Sequence, residues 1–252
     1  MRIAVLFLFC LCAAGSSCLA QGPASVAEQY LFQAANAERQ QRGLPVLVWD
    51  AALYRAATFH ALEMAARESI SHQYPGEADL AGRAGGAGAR FSLVEENVAE
   101  APTAVTVHRA WMESEGHREN LLDPEVNRVG ISVRSRNGQL YAVEDFDRDV
   151  EAKSFGDQEI AVADLLRSTP NLQIQVGDLE ARNTCAMEEG FAGPRRPWFV
   201  MRFTTGELDA LPVELRERLS SGRYHQAVIG ACPAKRSARP FSSYNIAVLL
   251  YP

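Results

Sequence analysis

The sequence has no excess of basic charge. It carries 25 Lys and Arg against 31 Asp and Glu, a net charge of −6 at pH 7. The acidity lies in residues 21–147, where 18 Asp and Glu outnumber 11 Arg, while residues 148–252 hold 13 residues of each sign. Nucleic acids and anionic membranes attract clustered basic residues. The composition therefore argues against both as main partners, and it is compatible with cation binding without showing it.

The chain also lacks an apolar run long enough to cross a bilayer comfortably. Residues 3–15 are apolar, but about 20 residues are needed for a membrane-spanning helix. Arg2 precedes the run, and small residues lead from it to Ala20. This pattern predicts a signal peptide over residues 1–20 and a protein that is secreted, either extracellular or periplasmic. No stable membrane insertion is expected after cleavage. A retained N-terminal anchor and a lipoprotein modified at Cys18 are the alternatives.

Few cysteines remain after that cleavage. Three of the five leave with the signal peptide, and Cys185 and Cys232 stay. In an oxidising compartment two remaining cysteines predict a disulfide. The chain-entropy relation gives such a link a stabilising effect of roughly 3–4 kcal/mol. Two buried free thiols are the alternative.

Motifs for covalent catalysis and phosphate binding are missing. No serine stands in a nucleophile elbow, and the glycines of residues 82–88 lack the Lys-Ser/Thr of a phosphate-binding loop. We therefore interpret residues 71–90 as a long loop forming the rim of a cleft. The sequence has no internal repeat.

Helical periodicity and a hairpin turn divide the first half. Helices are predicted over residues 26–41, 51–68, 91–99 and 104–115, with Ser25, Asp50 and Thr103 as N-caps. Strands are predicted over residues 129–134 and 139–146, since Asn137-Gly138 between them is a strong hairpin turn. A boundary is expected near residue 147. The second half predicts a small α+β domain with a mainly antiparallel sheet, whose helices are at residues 158–167 and 213–220. Its strands are expected at residues 172–176, 199–204, 224–231 and 244–251.

Four of the five histidines lie in the first half. His60 and His108 occupy apolar helix faces, where a satisfied core histidine is the favoured interpretation. His72 and His117 follow Ser71 and Gly116 in irregular segments, where functional side chains are commonly displayed. Histidine and carboxylate are natural zinc ligands.

The first half resembles the CAP superfamily (SCP-like or cysteine-rich secretory, antigen 5 and pathogenesis-related domains). The resemblance covers about 120 residues, in matching order and spacing. It is carried by G-L-P-V-L-V-W-D at 43–50, S-H at 71–72, E-N-V-A at 96–99 and W-M-E-S-E-G-H-R-E-N-L-L at 111–122. It implies a CAP-type α-β-α sandwich over residues 21–147. Residues 148–252 resemble no family that we identify.

The resemblance also implies a site. CAP domains have a cleft with two histidines and acidic residues, and several members bind a divalent cation there, often zinc. His72, Glu96 and His117 match the family positions, and His72 and His117 would be the metal ligands. The fourth position falls on Ser114, so Glu113 or Glu115 would have to substitute. Glu95 replaces the glycine that usually precedes the glutamate, which puts the local turn in doubt.

Two functions remain open for this cleft, and a third possibility is a structural protein with a vestigial cleft, in which the second domain mediates attachment. The favoured one is a binding module for a small lipid, a peptide or an envelope component, with or without a divalent metal. The alternative is a metal-assisted extracellular hydrolase or peptidase in which Glu96 acts as a base. The absence of a nucleophile and of a complete carboxylate set favours binding. A buried hydrogen-bond network without metal would use the same three residues.

Overall fold

A computed structural model describes residue 23, residues 25–233 and residues 241–252. The signal peptide predicted for residues 1–20 lies outside the described residues. The described chain forms two α/β units, each built on one four-stranded sheet. We call residues 25–150 the first unit and residues 154–252 the second unit.

The first unit is a three-layer sandwich. Its sheet has the order β1-β3-β4-β2, with β1 parallel to β3 and the other pairs antiparallel. Helices α1, α4 and α5 cover one face, and α2 and α3 cover the other. The predicted α-β-α sandwich is therefore confirmed. Its elements are α1 (Val26–Gln41), β1 (Val48–Trp49), α2 (Ala51–Arg67), α3 (Leu80–Gly86), β2 (Phe91–Ala101), α4 (Ala104–Glu113), α5 (Glu115–Leu122), β3 (Arg128–Arg136) and β4 (Gln139–Asp149).

Local sequence fixes the ends of these elements as predicted. Ser25 and Glu28 form a reciprocal capping box at the start of α1. Asp50 caps α2 by accepting hydrogen bonds from the backbone N–H groups of Ala52 and Leu53. At the β3–β4 turn, Asn137 and Gly138 have φ values of 50° and 80°, the left-handed conformation that a tight hairpin requires.

Three local predictions are wrong. His117, expected in an irregular segment, lies in helix α5. Residues 91–99 form most of strand β2 instead of a helix, and the predicted loop of residues 71–90 contains helix α3. Both faces of β2 are covered by helices, so its side chains do not show the simple alternation of a half-buried strand. The third helix starts after Asp79, whose carboxylate accepts a hydrogen bond from the N–H of Gly82 at 2.8 Å.

The second unit is a smaller sandwich. Its sheet has the order β5-β7-β8-β6, with β5 parallel to β7 and the other pairs antiparallel. Helices α6 and α8 pack on one face, and α7 packs on the other. A disulfide joins Cys185 of α7 to Cys232 of β7, as predicted. The elements are α6 (Phe155–Leu166), β5 (Gln173–Gln175), α7 (Leu179–Ala186), β6 (Phe199–Thr205), α8 (Val213–Ser220), β7 (Gln226–Cys232) and β8 (Tyr244–Tyr251).

The two units have the same topology. Along the chain, each unit has a helix, a strand, a helical segment, a strand, a second helical segment and a β-hairpin. The two helical segments are the pairs α2–α3 and α4–α5 in the first unit, and the single helices α7 and α8 in the second. Strand order and strand directions are also the same. The second unit is the predicted small α+β domain, and its fold repeats that of the first unit although the sequence shows no repeat.

A close helix–strand contact recurs at the same place in both units. A Cβ added to Gly130 of β3 would lie 2.1 Å from the backbone N of Tyr54 in α2. One added to Gly230 of β7 would lie 2.2 Å from the carbonyl carbon of Ala181 in α7. Only glycine permits this approach, and both contacts fall within the first turns of their helices.

The units meet beside β2 and β4. Arg148 pairs with Glu125 of the first unit and Glu207 of the second, at 3.2 and 2.7 Å. The N–H of Ser242 donates to the carbonyl of Phe91 at 2.7 Å. These contacts lie at the start of β2 and the end of β4.

Candidate functional site

Three of the five predicted cleft residues, His72, Glu96 and His117, lie together beside β2, an edge strand of the first sheet. Successive residues of a strand face opposite sides, so Glu96 points toward α2 and α3 while Asn97 points toward α5. The His72 side chain reaches Glu96 from the segment between α2 and α3, with Nδ1 at 2.9 Å from Oε1. His117 comes from α5, and its ring centroid is 6.4 Å from that of His72.

Both oxygens of the Glu96 carboxylate are occupied. The first accepts from His72, and the second forms a short ion pair with a guanidinium N–H of Arg83 in α3. Arg83 also donates to the backbone carbonyls of His72 and Ala78, at 3.1 and 3.2 Å. Glu96 and Arg83 are 6% and 9% exposed. The carboxylate is therefore neutralised inside the protein and serves to hold His72.

A second histidine–carboxylate pair supports the segment that carries His72. His60 of α2 is fully buried, with Nδ1 2.7 Å from Glu77 and Nε2 2.6 Å from the carbonyl of Ser71. Burial acts against ionisation of Glu77, but hydrogen bonds from the Tyr74 N–H and from His60 hold its pKa below the ordinary value. Both ring nitrogens of His60 therefore have a hydrogen-bond partner. His60 is thus a satisfied core histidine that anchors the segment.

Two asparagines fasten α5 to β2. The Asn97 side-chain amide donates to the carbonyl of His117 at 2.9 Å. The Asn120 amide donates to the carbonyl of Glu96 at 3.1 Å and to the Asn97 side-chain oxygen at 3.0 Å. These residues were not predicted as functional, although both stand in the motif blocks. They set the position of His117 relative to Glu96.

The two cleft histidines differ in basicity. The hydrogen bond to Glu96 raises the pKa of His72, with burial and Arg83 opposing the shift. Burial lowers the pKa of His117, and the charge of His72 lowers it further. As pH falls, His72 therefore takes up a proton before His117 does. The His72 side chain is 61% exposed, so its Nε2 side is open to a ligand.

Buried carboxyl groups surround Glu96. Asp145 lies opposite Glu96 across β2 and β4 and is fully buried. Burial raises its pKa well above the ordinary value, and the charge of Glu96 raises it further. Burial also raises the pKa of Glu144 to about 8 against a hydrogen bond from Asn97. Two neighbouring carboxylates in a dry interior disfavour each other's charge, so the protonated form of Asp145 is favoured beside Glu96.

Comparisons with known proteins agree with this arrangement. Residues 32–146 match the Cysteine-rich secretory protein family, CAP. The YkwD protein of Bacillus subtilis (strain 168) is 33% identical over 112 residues, which cover 43% of this chain and 44% of YkwD. The family match includes β2, α5 and most of the β3–β4 hairpin. Residues 32–146 form a CAP domain.

Two solved structures are similar to about half of this chain. An extracellular SCP-domain protein of Bacillus anthracis str. Ames is 27% identical with a TM-score of 0.45, over 51% of this chain and 45% of that one. An outer surface protein of Borrelia burgdorferi is 20% identical with a TM-score of 0.46, over 49% of this chain and 92% of that one. This chain spans less than half the length of YkwD. Among the described residues, no helix is long and apolar enough to cross a membrane.

The fourth corner of the CAP cleft has no carboxylate. Ser114 lies between α4 and α5, where its side chain makes no capping hydrogen bond. The Glu113 side chain is 72% exposed and lies 4.0 Å from Arg109 on the same helix. Glu95 faces away from Glu96 and lies near Asp123, and burial together with Asp123 raises its pKa to about 7. In the described chain, no hydrogen bond or ion pair joins the predicted substitute Glu113 to His72, Glu96 or His117.

The CAP cleft offers two nitrogen ligands to a metal ion. The Nδ1 of His72 is held by Glu96, which leaves Nε2 facing outward, as in histidine ligands oriented by a carboxylate. His117 supplies the second imidazole. Within the described ranges, no three His, Cys, Asp or Glu side chains converge as a metal site. The donor set fits two protein ligands, fewer than the three of a typical catalytic zinc site.

Proposed function

We propose that the CAP domain is a secreted binding module whose cleft holds an anionic group between His72 and His117. The observation that carries this proposal is the occupation of both Glu96 oxygens by His72 and Arg83. A base must come within hydrogen-bond reach of the proton that it abstracts, and the Glu96 carboxylate is only 6% exposed between these two partners. Glu96 instead orients His72, which favours binding over catalysis.

The ligand chemistry follows from the protonation states. Protonated His72 donates its Nδ1–H to Glu96 and keeps its Nε2–H for a ligand. His117 stays neutral at a pH where His72 is charged. A carboxylate or a phosphate monoester, on either a peptide terminus or a lipid headgroup, suits this pair because charge-assisted hydrogen bonds are the strong ones.

Secretion is part of the proposal. It is supported by the three-part pattern of residues 1–20 and by the description of the matching family as secretory. Mass spectrometry of the protein exported by its host would test it, with an N-terminus at residue 21 as the expected result.

Zinc is the second candidate ligand, favoured by the outward-facing Nε2 of His72. The two candidates have opposite pH dependences. An anion needs protonated His72, so its affinity falls as pH rises through the pKa of His72. Zinc needs both imidazoles neutral, so its affinity rises with pH.

Calorimetric titration of the mature chain with decanoate, decyl phosphate and zinc chloride at pH 5.5 and pH 8.0 separates the candidates. We expect an anionic probe to bind at least fivefold more tightly at pH 5.5. His72→Gln should abolish this pH dependence, and His225→Gln, an exposed histidine of the second unit, should leave it unchanged. Binding of zinc alone, stronger at pH 8.0, would replace the anion proposal with a metal site. Peptide hydrolysis that disappears in Glu96→Gln would overturn the binding module in favour of the hydrolase.

A further inference from the structure

The first helix of each unit carries a buried glutamate that bonds to the sheet. Glu28 of α1 accepts a hydrogen bond from the N–H of Val133 in β3 at 3.0 Å. Glu159 of α6 accepts one from the N–H of Ala231 in β7 at 2.9 Å. Both carboxylates are almost completely buried. Each therefore ties the first helix of its unit to the same strand of the sheet.

The buried residues that follow each glutamate along its helix can be compared. Helix α1 has a buried arginine that α6 lacks. The buried residues at +3 and +7 are Leu31 and Ala35 in α1, and Val162 and Leu166 in α6. The next position on this face, at +11, is Arg39 in α1. In the second unit it is Pro170, which comes after α6 has ended at Leu166. The helix of the second unit is thus more than one turn shorter.

In the first unit Arg39 fills the space at the end of the helix. Its guanidinium is fully buried and donates to four backbone carbonyls. These lie in the α1–β1 segment and between the end of α5 and β3: Pro45 at 2.8 Å, Leu121 at 2.9 Å, Asp123 at 2.9 Å and Val126 at 3.2 Å. The side chain closes a gap between two segments that do not pair with each other.

In the second unit the corresponding gap is an open groove of about 650 Å³. It lies between the same elements, the end of α6, the α6–β5 segment, α8 and the α8–β7 segment. Leu165, Leu211 and Leu219 give it apolar walls, and Asp209 and Arg216 also line it. As around Arg39, irregular segments that follow a helix bound the space.

We propose that this groove binds a guanidinium carried on an aliphatic chain, as in an arginine side chain of a peptide partner. The aliphatic part would lie against the leucines, and the planar guanidinium would donate to loop carbonyls and to Asp209. The proposal depends on the repeated fold and is independent of the CAP cleft. Asp209 strengthens binding because its negative charge attracts the guanidinium, and Arg216 weakens it because its positive charge repels the guanidinium.

The test uses ¹⁵N-labelled mature chain titrated with N-acetyl-arginine amide and, as an uncharged analogue of equal shape, N-acetyl-citrulline amide. We expect the arginine probe to shift resonances of α6, α8 and their following segments, and to bind at least tenfold more tightly than the citrulline probe. Asp209→Asn should weaken binding at least threefold, Arg216→Gln should tighten it, and Ala210→Trp should fill the groove and abolish binding.

Glu207→Gln, in the same segment but outside the groove, is the matched control for Asp209→Asn. Circular dichroism would establish that each variant is folded, and Asp209→Asn keeps the test valid if Ala210→Trp is not. Equal affinity for the two probes, or shifts confined to residues around His72 and His117, would overturn the proposal. So would binding that Asp209→Asn and Arg216→Gln both leave unchanged.

Discussion

Arg83 links the three parts of the cleft: the carboxylate of Glu96, the backbone of His72 and the segment before α3. It is nearly buried, and so is the carboxylate that it pairs with. Removing one partner of a buried ion pair leaves an uncompensated charge, which typically costs about 3–5 kcal/mol. The cleft therefore depends on a residue that binds no ligand.

We expect Arg83→Met to lower the free energy of unfolding by about 3–5 kcal/mol. The pKa of His72 should also rise, because Arg83 opposes the effect of Glu96 on it. Urea unfolding and NMR titration of the His72 ring measure the two effects. Arg67→Met, which removes an exposed cation above the Tyr74 ring, is the control. A His72 pKa that stays the same or falls would contradict the assigned contacts.

Asp147 gives a pH-dependent prediction. It is 1% exposed; burial raises its pKa to about 8, and Asp50 and Asp149 add to the shift while Arg128 opposes it. The unfolded chain loses this proton near pH 4, so between about pH 4 and pH 8 the folded state holds a proton that the unfolded state lacks. Stability must then fall as pH rises through this window.

Asparagine has no titrating proton, so Asp147→Asn lacks this pH dependence. As pH rises from 5 to 8, its free energy of unfolding should therefore rise relative to that of the wild type, by up to about 1.4 kcal/mol per pH unit. Free energies of unfolding in urea at several pH values measure this. Asp149→Asn, at a partly exposed side chain, should show a much smaller trend. Parallel curves for Asp147→Asn and the wild type would show that Asp147 is ionised in the folded protein.

Sequence reasoning located His72, Glu96 and His117, because each stands in a motif block with fixed spacing. It missed Arg83, which lies in a stretch rich in Gly and Ala that we interpreted as a flexible rim. Arginine is usually exposed, and its partner Glu96 lies on a strand that we predicted as a helix. The ion pair could be inferred only once α3 and β2 had been placed correctly.

At the scale of elements, each sandwich requires a helix to lie directly on a strand backbone. Gly130 under α2 and Gly230 under α7 leave no room for a methyl group. The pattern of apolar residues predicted α2 and the β3–β4 hairpin well, but it could not show how closely they approach. It also missed α7, whose only buried residues are Ala181, Thr184 and Cys185.

We expect Gly130→Ala and Gly230→Ala each to destabilise the protein by at least about 1–3 kcal/mol, because helix and strand would have to separate. Gly86→Ala, at the end of α3 with open space around its Cβ, should be neutral or slightly stabilising. Thermal unfolding followed by circular dichroism measures all three. A neutral Gly230→Ala beside a destabilising Gly130→Ala would mean that α7 does not pack as α2 does.

At the scale of the whole molecule, one fold occurs twice and only one copy carries the cleft. The strand position of Glu96 is taken in the second unit by Arg202, which pairs with Ala247 as Glu96 pairs with Asp145. Arg202 donates to the backbone carbonyls of Thr184 and Gly190, at 2.7 and 2.5 Å. The repeat is invisible in the sequence because a sandwich constrains burial and close contacts, and many side chains satisfy those constraints.

The disulfide belongs to the second unit alone, so its reduction should act unequally on the two. Cys185–Cys232 ties α7 to β7, and by the chain-entropy relation its loss costs roughly 3–4 kcal/mol. The first unit contains Trp49 and Trp111, and the second contains Trp198, which is 62% exposed. In a Trp198→Phe protein, fluorescence therefore reports the first unit, while circular dichroism reports both.

We expect a reducing agent to lower the midpoint of part of the circular dichroism transition and to move the fluorescence midpoint much less. A Cys185→Ser/Cys232→Ser double variant should unfold as the reduced protein does, and its midpoints should not change when the reducing agent is added. Equal shifts of both midpoints would mean that Arg148 and the neighbouring contacts couple the two units into one cooperative structure.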